Sequence, residues 1–167
     1  MRKRSLLLAV TLALSSFVPS HVSARQSSEI SGYSPGSIVV VTHQRRLYYI
    51  TSSGRAVTYP VGVGKAGMTW AGTAYIAEKR IRPAWSPPEM IRREKPGIAD
   101  VFPGGSPSNP MGAAALVLDR GEYAIHGTNA PGSIGHFVSH GCIRMYNSDI
   151  IDLYSRVGVG TQVVVLP

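Results

Sequence analysis

The only cysteine and three of the five histidines fall within residues 124–145, AIHGTNAPGSIGHFVSHGCIRM. A thiol with an ordinary pKa of about 8.5 is only a few per cent thiolate near neutral pH, so Cys142 needs a neighbouring base or cation to become a working nucleophile. His126, His136 and His140 are the available bases. Covalent catalysis would require a base within hydrogen-bond reach, a group that orients that base, and amide donors for an oxyanion. His126, sixteen positions upstream, is placed to be the base once the intervening glycine-rich loop folds back. No acidic residue lies between His126 and Cys142, so the orienting group is a backbone carbonyl or comes from elsewhere. Gly141 permits a close backbone approach, and the amides of Gly141 and Cys142 are candidate oxyanion donors.

Arg144 alternates to the same side as Cys142 if this piece is extended. Its guanidinium would grip a carboxylate bidentately, or form a structural ion pair with Asp149 or Asp152. Three histidines and a cysteine also make a zinc ligand set. His136 and His140 are four apart, but Pro131 and the nearby glycines oppose a helix there, so no shared ligating face and no metal or other cofactor is expected. The bland alternative is a buried, inert thiol, which flanking Gly and His fit poorly.

The N-terminus reads as a targeting segment, with basic Arg2, Lys3 and Arg4, an apolar run over 6–18 and the small-residue site Val22-Ser23-Ala24. That run is shorter than the roughly 20 residues of a transmembrane helix, so cleavage after Ala24 and export without an integral span are expected. With no cysteine near the cleavage site, a lipid anchor there is not expected. The organisation expected is a signal peptide over 1–24, a flexible Ser- and Gly-rich leader over 25–36, and one domain over 37–167. Of the 17 basic residues, 14 lie beyond the signal peptide against 9 acidic ones, a net charge of +5. Such an excess suits an anionic partner or simply a solvated surface. No arginine-aromatic pattern argues for nucleic acid. In an oxidising compartment cysteines usually pair, so a lone Cys142 points to a reactive thiol or an intermolecular disulfide.

The elements that must position these residues are mainly strands. Apolar, β-branched runs at 38–42, 47–51 and 56–63 with short connections read as an antiparallel meander. The glycines around Lys65 form a turn rather than a phosphate loop, since no helix follows. Another strand is expected over 73–81, with Ala74, Ile76 and Tyr75 contributing to opposite faces. Residues 82–112 are rich in proline and read as a long functional loop with at most a short helix over 88–94 and Trp85 packed at the core edge or acting as a lid. Strands at 113–118 and 123–126 deliver His126 to a loop over 127–138. Ser148 or Asn147 then caps a helix over 149–157 with an apolar stripe of Ile150, Ile151, Leu153, Tyr154 and Val157, and a buried strand over 162–166 closes the chain.

His126-Gly127-Thr128 followed by Ser139-His140-Gly141-Cys142-Ile143-Arg144-Met145 resembles the active-site signature of the L,D-transpeptidases with a YkuD-like catalytic domain, bacterial cell-wall enzymes. Weaker similarity runs through 38–49, 59–64, 109–112 and 158–161, and the wording around Asn109 and His126 is closest to proteobacterial periplasmic members. The resemblance implies a mainly β domain with one clear helix and a β-sandwich-like mixed sheet. It implies Cys142 as acylated nucleophile and His126 as proton donor and acceptor. It also implies His140 as a pocket-shaping residue supporting the oxyanion hole and the Gly127 carbonyl as the group orienting His126; Ser139 and Arg144 are expected at the substrate. Such enzymes attack the third residue of a peptidoglycan tetrapeptide stem, release D-alanine, and pass the acyl group to an amine of another stem or of an outer-membrane lipoprotein. The role implied is cell-wall organisation and cell shape, in the periplasm. The alternatives are an L,D-carboxypeptidase or cysteine peptidase using water, and a non-catalytic wall-binding module.

Overall fold

The computed structural model describes residues 30–167. The expected signal peptide, 1–24, and leader residues 25–29 lie outside the described residues.

Strand β1, Ile38–Val41, is a run of four aliphatics buried at every position. A strand apolar on both faces belongs in the middle of a sheet covered on both sides. Ile38 and Val40 face the main core with Leu47, Ile76, Leu116 and Ile125, whereas Val39 and Val41 face a smaller cluster with Ile30, Tyr48 and Ile50. Each such side chain contributes about 1.5–3 kcal/mol by leaving water. Ordered contacts begin before Ser37: Ile30 is buried, and the Gly36 amide donates to the Ile50 carbonyl at 2.8 Å.

The remaining elements are β2 Arg46–Ser52, β3 Arg55–Pro60, β4 Val63–Gly64, β5 Gly72–Ile81, helix α1 Glu89–Glu94, β6 Ala114–Leu118, β7 Ala124–His126, β8 Phe137–Ser139, β9 Ile143–Arg144, helix α2 Asn147–Arg156 and β10 Gln162–Leu166. Eight strands form one sheet in the order β3-β2-β1-β10-β5-β6-β7-β9, and β4 pairs with β8. The domain is mostly β with one clear helix, and its sheet is mixed and curled. The expected meander holds for β1–β3, but β10 inserts between β1 and β5 and runs parallel to β1. Parallel neighbours require long crossovers, so short-range turn signals do not announce them. On β5, Ala74 and Ile76 share the buried face and Tyr75 points outward.

Helix α2 buries Ile150 and Leu153, while Ile151 is exposed because one helical step turns it about 100° away from Ile150. Asn147 is not the expected cap, and neither is Ser148: Tyr146 occupies the N-cap position and no side chain caps the helix. Asn147 Oδ1 instead accepts from the amides of Ala113, at 2.9 Å, and Thr128, at 3.1 Å, while Nδ2 donates to the Thr128 carbonyl at 3.0 Å. It stitches the loop after β7 to the start of β6. Replacement Asn147→Ala is expected to cost about 2 kcal/mol in urea denaturation, because three hydrogen bonds to backbone groups, two of them partly buried, are lost. Asn147→Ser, a good cap residue, should lose nearly as much, and full stability of that variant would contradict the stitching role.

Candidate active site

β7 and β9 run parallel, with Ile125 opposite Ile143 and His126 opposite Arg144. Side chains alternate along a strand, so the burial of Ile125 and Ile143 in the core sends their neighbours the other way. Cys142, Arg144 and His126 thereby share one face and line one cavity of about 790 Å³ with Ser139, His140 and Glu122. The other edge of β9 is held by Gly62, whose amide and carbonyl exchange hydrogen bonds of 2.9 and 2.8 Å with Arg144. A side chain at Gly62 would run into the Ser133 carbonyl, so only glycine permits that approach.

His126 is buried, and its Nδ1 lies 2.6 Å from the Gly127 carbonyl. A carbonyl only accepts, so Nδ1 carries the proton and Nε2 is left as the basic atom. Burial, opposed by the carbonyls of Gly127 and Pro110 and assisted by the positive charge of Arg144, lowers the pKa of His126 to about 4. Burial also raises the Cys142 thiol, with the Glu122 charge adding to the rise and the Ala124 amide and Arg144 opposing it. Both groups therefore rest in their neutral forms near pH 7.

Cys142 sits on a turn whose shape is fixed from outside. Gly141 has φ +118°, and a Cβ there would collide with the ring of Tyr123. That ring stacks on Trp70, with centroids 5.5 Å apart and planes 4° from parallel, and Trp70 Nε1 donates to the Gly141 carbonyl at 3.0 Å. Ser139, almost fully buried, donates from Oγ to the Cys142 carbonyl at 2.5 Å and accepts from the Gly141 amide at 3.1 Å. Ser139, a cavity-lining residue, thus also closes the turn, and of the two candidate oxyanion donors the Gly141 amide is bound to it while the Cys142 amide is not.

His140 lines the cavity, but its Nε2 lies 2.7 Å from Glu94 Oε2 and 3.2 Å from Lys65 Nζ. Lys65 in turn pairs with Glu94 at 3.3 Å. That nitrogen is thus engaged with the last residue of α1, and His140 ties α1 to the turn that carries Cys142. Arg144 makes neither expected ion pair: Asp152 is taken by Tyr59 and Arg156, and the buried Nε of Arg144 has no partner. His136 is exposed and does not line the cavity; among the described residues no group of three His, Cys, Asp or Glu is arranged to hold a metal ion. The long segment 82–112 forms the facing wall, with Trp85 tilted against Phe102 and α1 its short helix. It is anchored by buried Asn109, whose Nδ2 donates toward the carbonyls of Pro83, Phe102 and Pro103.

The model of the YkuD L,D-transpeptidase catalytic domain matches residues 35–165. The chain belongs to this family. Among curated L,D-transpeptidases, the probable enzyme ErfK/SrfK of Escherichia coli K12 is 39% identical over 138 residues, covering 78% of this chain and 44% of that protein. The putative YkuD enzyme of Bacillus subtilis 168 is 40% identical over 109 residues, covering 65% and 52%. The chain thus spans about half the length of the curated relatives it matches. Two solved structures share the fold: an L,D-transpeptidase from Mycobacterium smegmatis, with TM-score 0.60, 20% identity and coverage of 78% of this chain and 58% of that one, and the catalytic domain of an Enterococcus faecium L,D-transpeptidase acylated by ertapenem, with TM-score 0.58, 22% identity and coverage of 81% and 100%.

The family motif names the residues on the turn but not those that shape it from a distance. Trp70, Tyr123, Lys65 and Glu94 reach the L,D-transpeptidase site through contacts between segments tens of residues apart. The depressed pKa of His126 has a consequence for stability. Between the unfolded value near 6.5 and about 4, the unfolded chain binds a proton that the folded chain excludes, so stability is present above pH 6.5 and lost as pH falls toward 4. Urea denaturation at pH 7 and pH 4.5 should show a loss in the wild type exceeding that in His126→Gln by about 2.4 kcal/mol. Equal losses would show that His126 is not a buried neutral base.

Proposed function

We propose that this L,D-transpeptidase is a cysteine-dependent, exported enzyme acting on peptidoglycan stem peptides in the periplasm. The observation that carries the reading is the β7–β9 register, which sets the lone Cys142 and an Nδ1-anchored His126 on one cavity wall. The Cys142 thiol passes its proton to His126 Nε2 as sulfur attacks the carbonyl of the third stem residue. The resulting oxyanion takes the Cys142 amide, and its collapse breaks the peptide bond; His126 returns the proton to the departing D-alanine nitrogen, leaving a thioester. An acceptor amine then attacks the thioester, gives its proton through His126 to the leaving sulfur, and carries the acyl group away. The acceptor is another stem or an outer-membrane lipoprotein.

Neutral resting forms suit this sequence, since the proton moves only as the sulfur–carbon bond forms. Arg144, with a buried and unpartnered Nε, is the cation for a stem carboxylate and for charge developing on the sulfur. The net positive charge suits a polymer rich in carboxylates.

Incubation with a tetrapeptide-stem muropeptide, followed by intact mass, should show the acyl adduct with loss of D-alanine. Cys142→Ala should show none, and His126→Gln should acylate at least about 100-fold more slowly with near-wild-type unfolding at pH 7. Adding an amine acceptor should convert the adduct to crosslinked product, and free tripeptide alone would mean that water is the acceptor. Full activity of either variant would defeat the mechanism.

A further inference from the structure

One loop grips the turn that carries Cys142 at two points, and the mechanism above uses neither. The loop is 65–71, between β4 and β5. At its start the Lys65 amide donates to the Ser139 carbonyl at 2.9 Å, and near its end Trp70 Nε1 donates to the Gly141 carbonyl at 3.0 Å. The loop is folded tightly on itself. The Met68 amide donates to the Lys65 carbonyl at 2.8 Å, and Gly64 packs so close to the Met68 carbonyl that a Cβ would overlap it. The indole is held in its own right, stacked on Tyr123 and with the Arg120 guanidinium 4.9 Å from its centroid. Trp70 does not line the cavity, so whatever it does for the reaction passes through the turn.

The carbonyl that Trp70 holds belongs to the peptide unit joining Gly141 to Cys142. Such a unit is planar and trans, so its C=O and N–H point in opposite directions and can only turn together. Gly141, at φ +118° and without a Cβ, leaves this unit freer to rotate than another residue would. The hydrogen bond from Trp70 removes that freedom, and in doing so sets the direction of the Cys142 N–H across the same plane. The groups on either side are held as well: Ser139 Oγ accepts from the Gly141 amide and donates to the Cys142 carbonyl. Of the backbone N–H and C=O groups of Gly141 and Cys142, the Cys142 N–H alone has no partner among the described residues. A donor left unspent, with its direction fixed beforehand, suits a developing oxyanion, because no reorganisation is needed at the moment of reaction.

We propose that Trp70 is a positioning residue for acyl transfer, its indole N–H acting through the Gly141 carbonyl to aim the Cys142 amide at the oxygen of the attacked carbonyl. The inference rests on the transpeptidase reading and deepens it, adding a residue that touches neither the thiol nor the substrate.

The test separates two reactions of one sulfur. Thioester formation with a tetrapeptide stem develops an oxyanion, whereas alkylation by iodoacetamide displaces iodide at a saturated carbon and develops none. Both rates are followed by intact mass at one pH for the wild type, for Trp70→Phe, and for Trp70→benzothienylalanine, in which sulfur replaces the indole N–H and the stacking surface is kept. Both replacements are expected to slow thioester formation about tenfold, less than the roughly 100-fold or more that follows loss of an oxyanion donor, because the Cys142 amide is misaimed rather than removed. Alkylation is expected to keep the wild-type rate, since the sulfur and its surroundings are untouched. Wild-type thioester formation by the benzothienylalanine protein would overturn the proposal, because packing alone would then suffice. Equal losses in the two reactions would overturn it too, because the whole turn would then have moved. Either result leaves the transpeptidase reading in place. A wild type that is alkylated but forms no thioester with any stem would overturn both.

Discussion

A parallel pairing only two residues long governs this molecule. β9 lies beside β7 in the one register that turns Ile125 and Ile143 into the core and Cys142, Arg144 and His126 into the cavity. A slip by a single residue would exchange the faces, burying Cys142 and exposing two isoleucines. So short a strand cannot hold its register alone. Gly62 grips its outer edge, Met145 extends the ladder by donating to the His126 carbonyl at 2.8 Å, and Asn147 fixes the loop that follows β7. The aliphatic centre of the sheet supplies the stability, and these few polar contacts convert it into placement.

The same burial that places the pair sets its electrostatics. Sulfur and imidazole are both pushed toward neutrality, in opposite directions on the pH scale. A neutral Nδ1–H imidazole is a ready acceptor for the thiol proton, and the cavity's positive groups meet negative charge only when it develops. Around this centre the aromatic stack of Trp70 on Tyr123 fixes the turn, and the Glu94–His140–Lys65 cluster fixes the wall opposite. Neither group performs the chemistry, yet each limits where a substrate carbonyl can sit.

Much of this was legible along the chain because it depends on local pattern. The β-branched runs become β1, β2 and β5, the run over 162–166 becomes β10 with those bounds, and the helix after the cysteine appears two residues early. The motif around His126 and Cys142 was legible because each of its two stretches, 126–128 and 139–145, is contiguous. What escaped depends on distant pairing. β8 and β9 are two or three residues long and lie in glycine-rich sequence, where no period can register. Asn147 looks like a cap but serves two loops, Ser139 closes its own turn, and the Gly141 amide is bound to Ser139. The Arg144 alternatives were decided by which partner reached Asp152 first in space, Arg156 one helical turn away.

The central claim is that Cys142 and His126 share one cavity face and rest uncharged until substrate arrives. The pH dependence of Cys142 alkylation by iodoacetamide, followed by intact mass from pH 5 to pH 10, tests it most directly. The account predicts a single ionisation above the ordinary thiol range, with slow alkylation throughout the neutral region. A plateau of rapid alkylation persisting below pH 6, the mark of a standing thiolate–imidazolium pair, would contradict it.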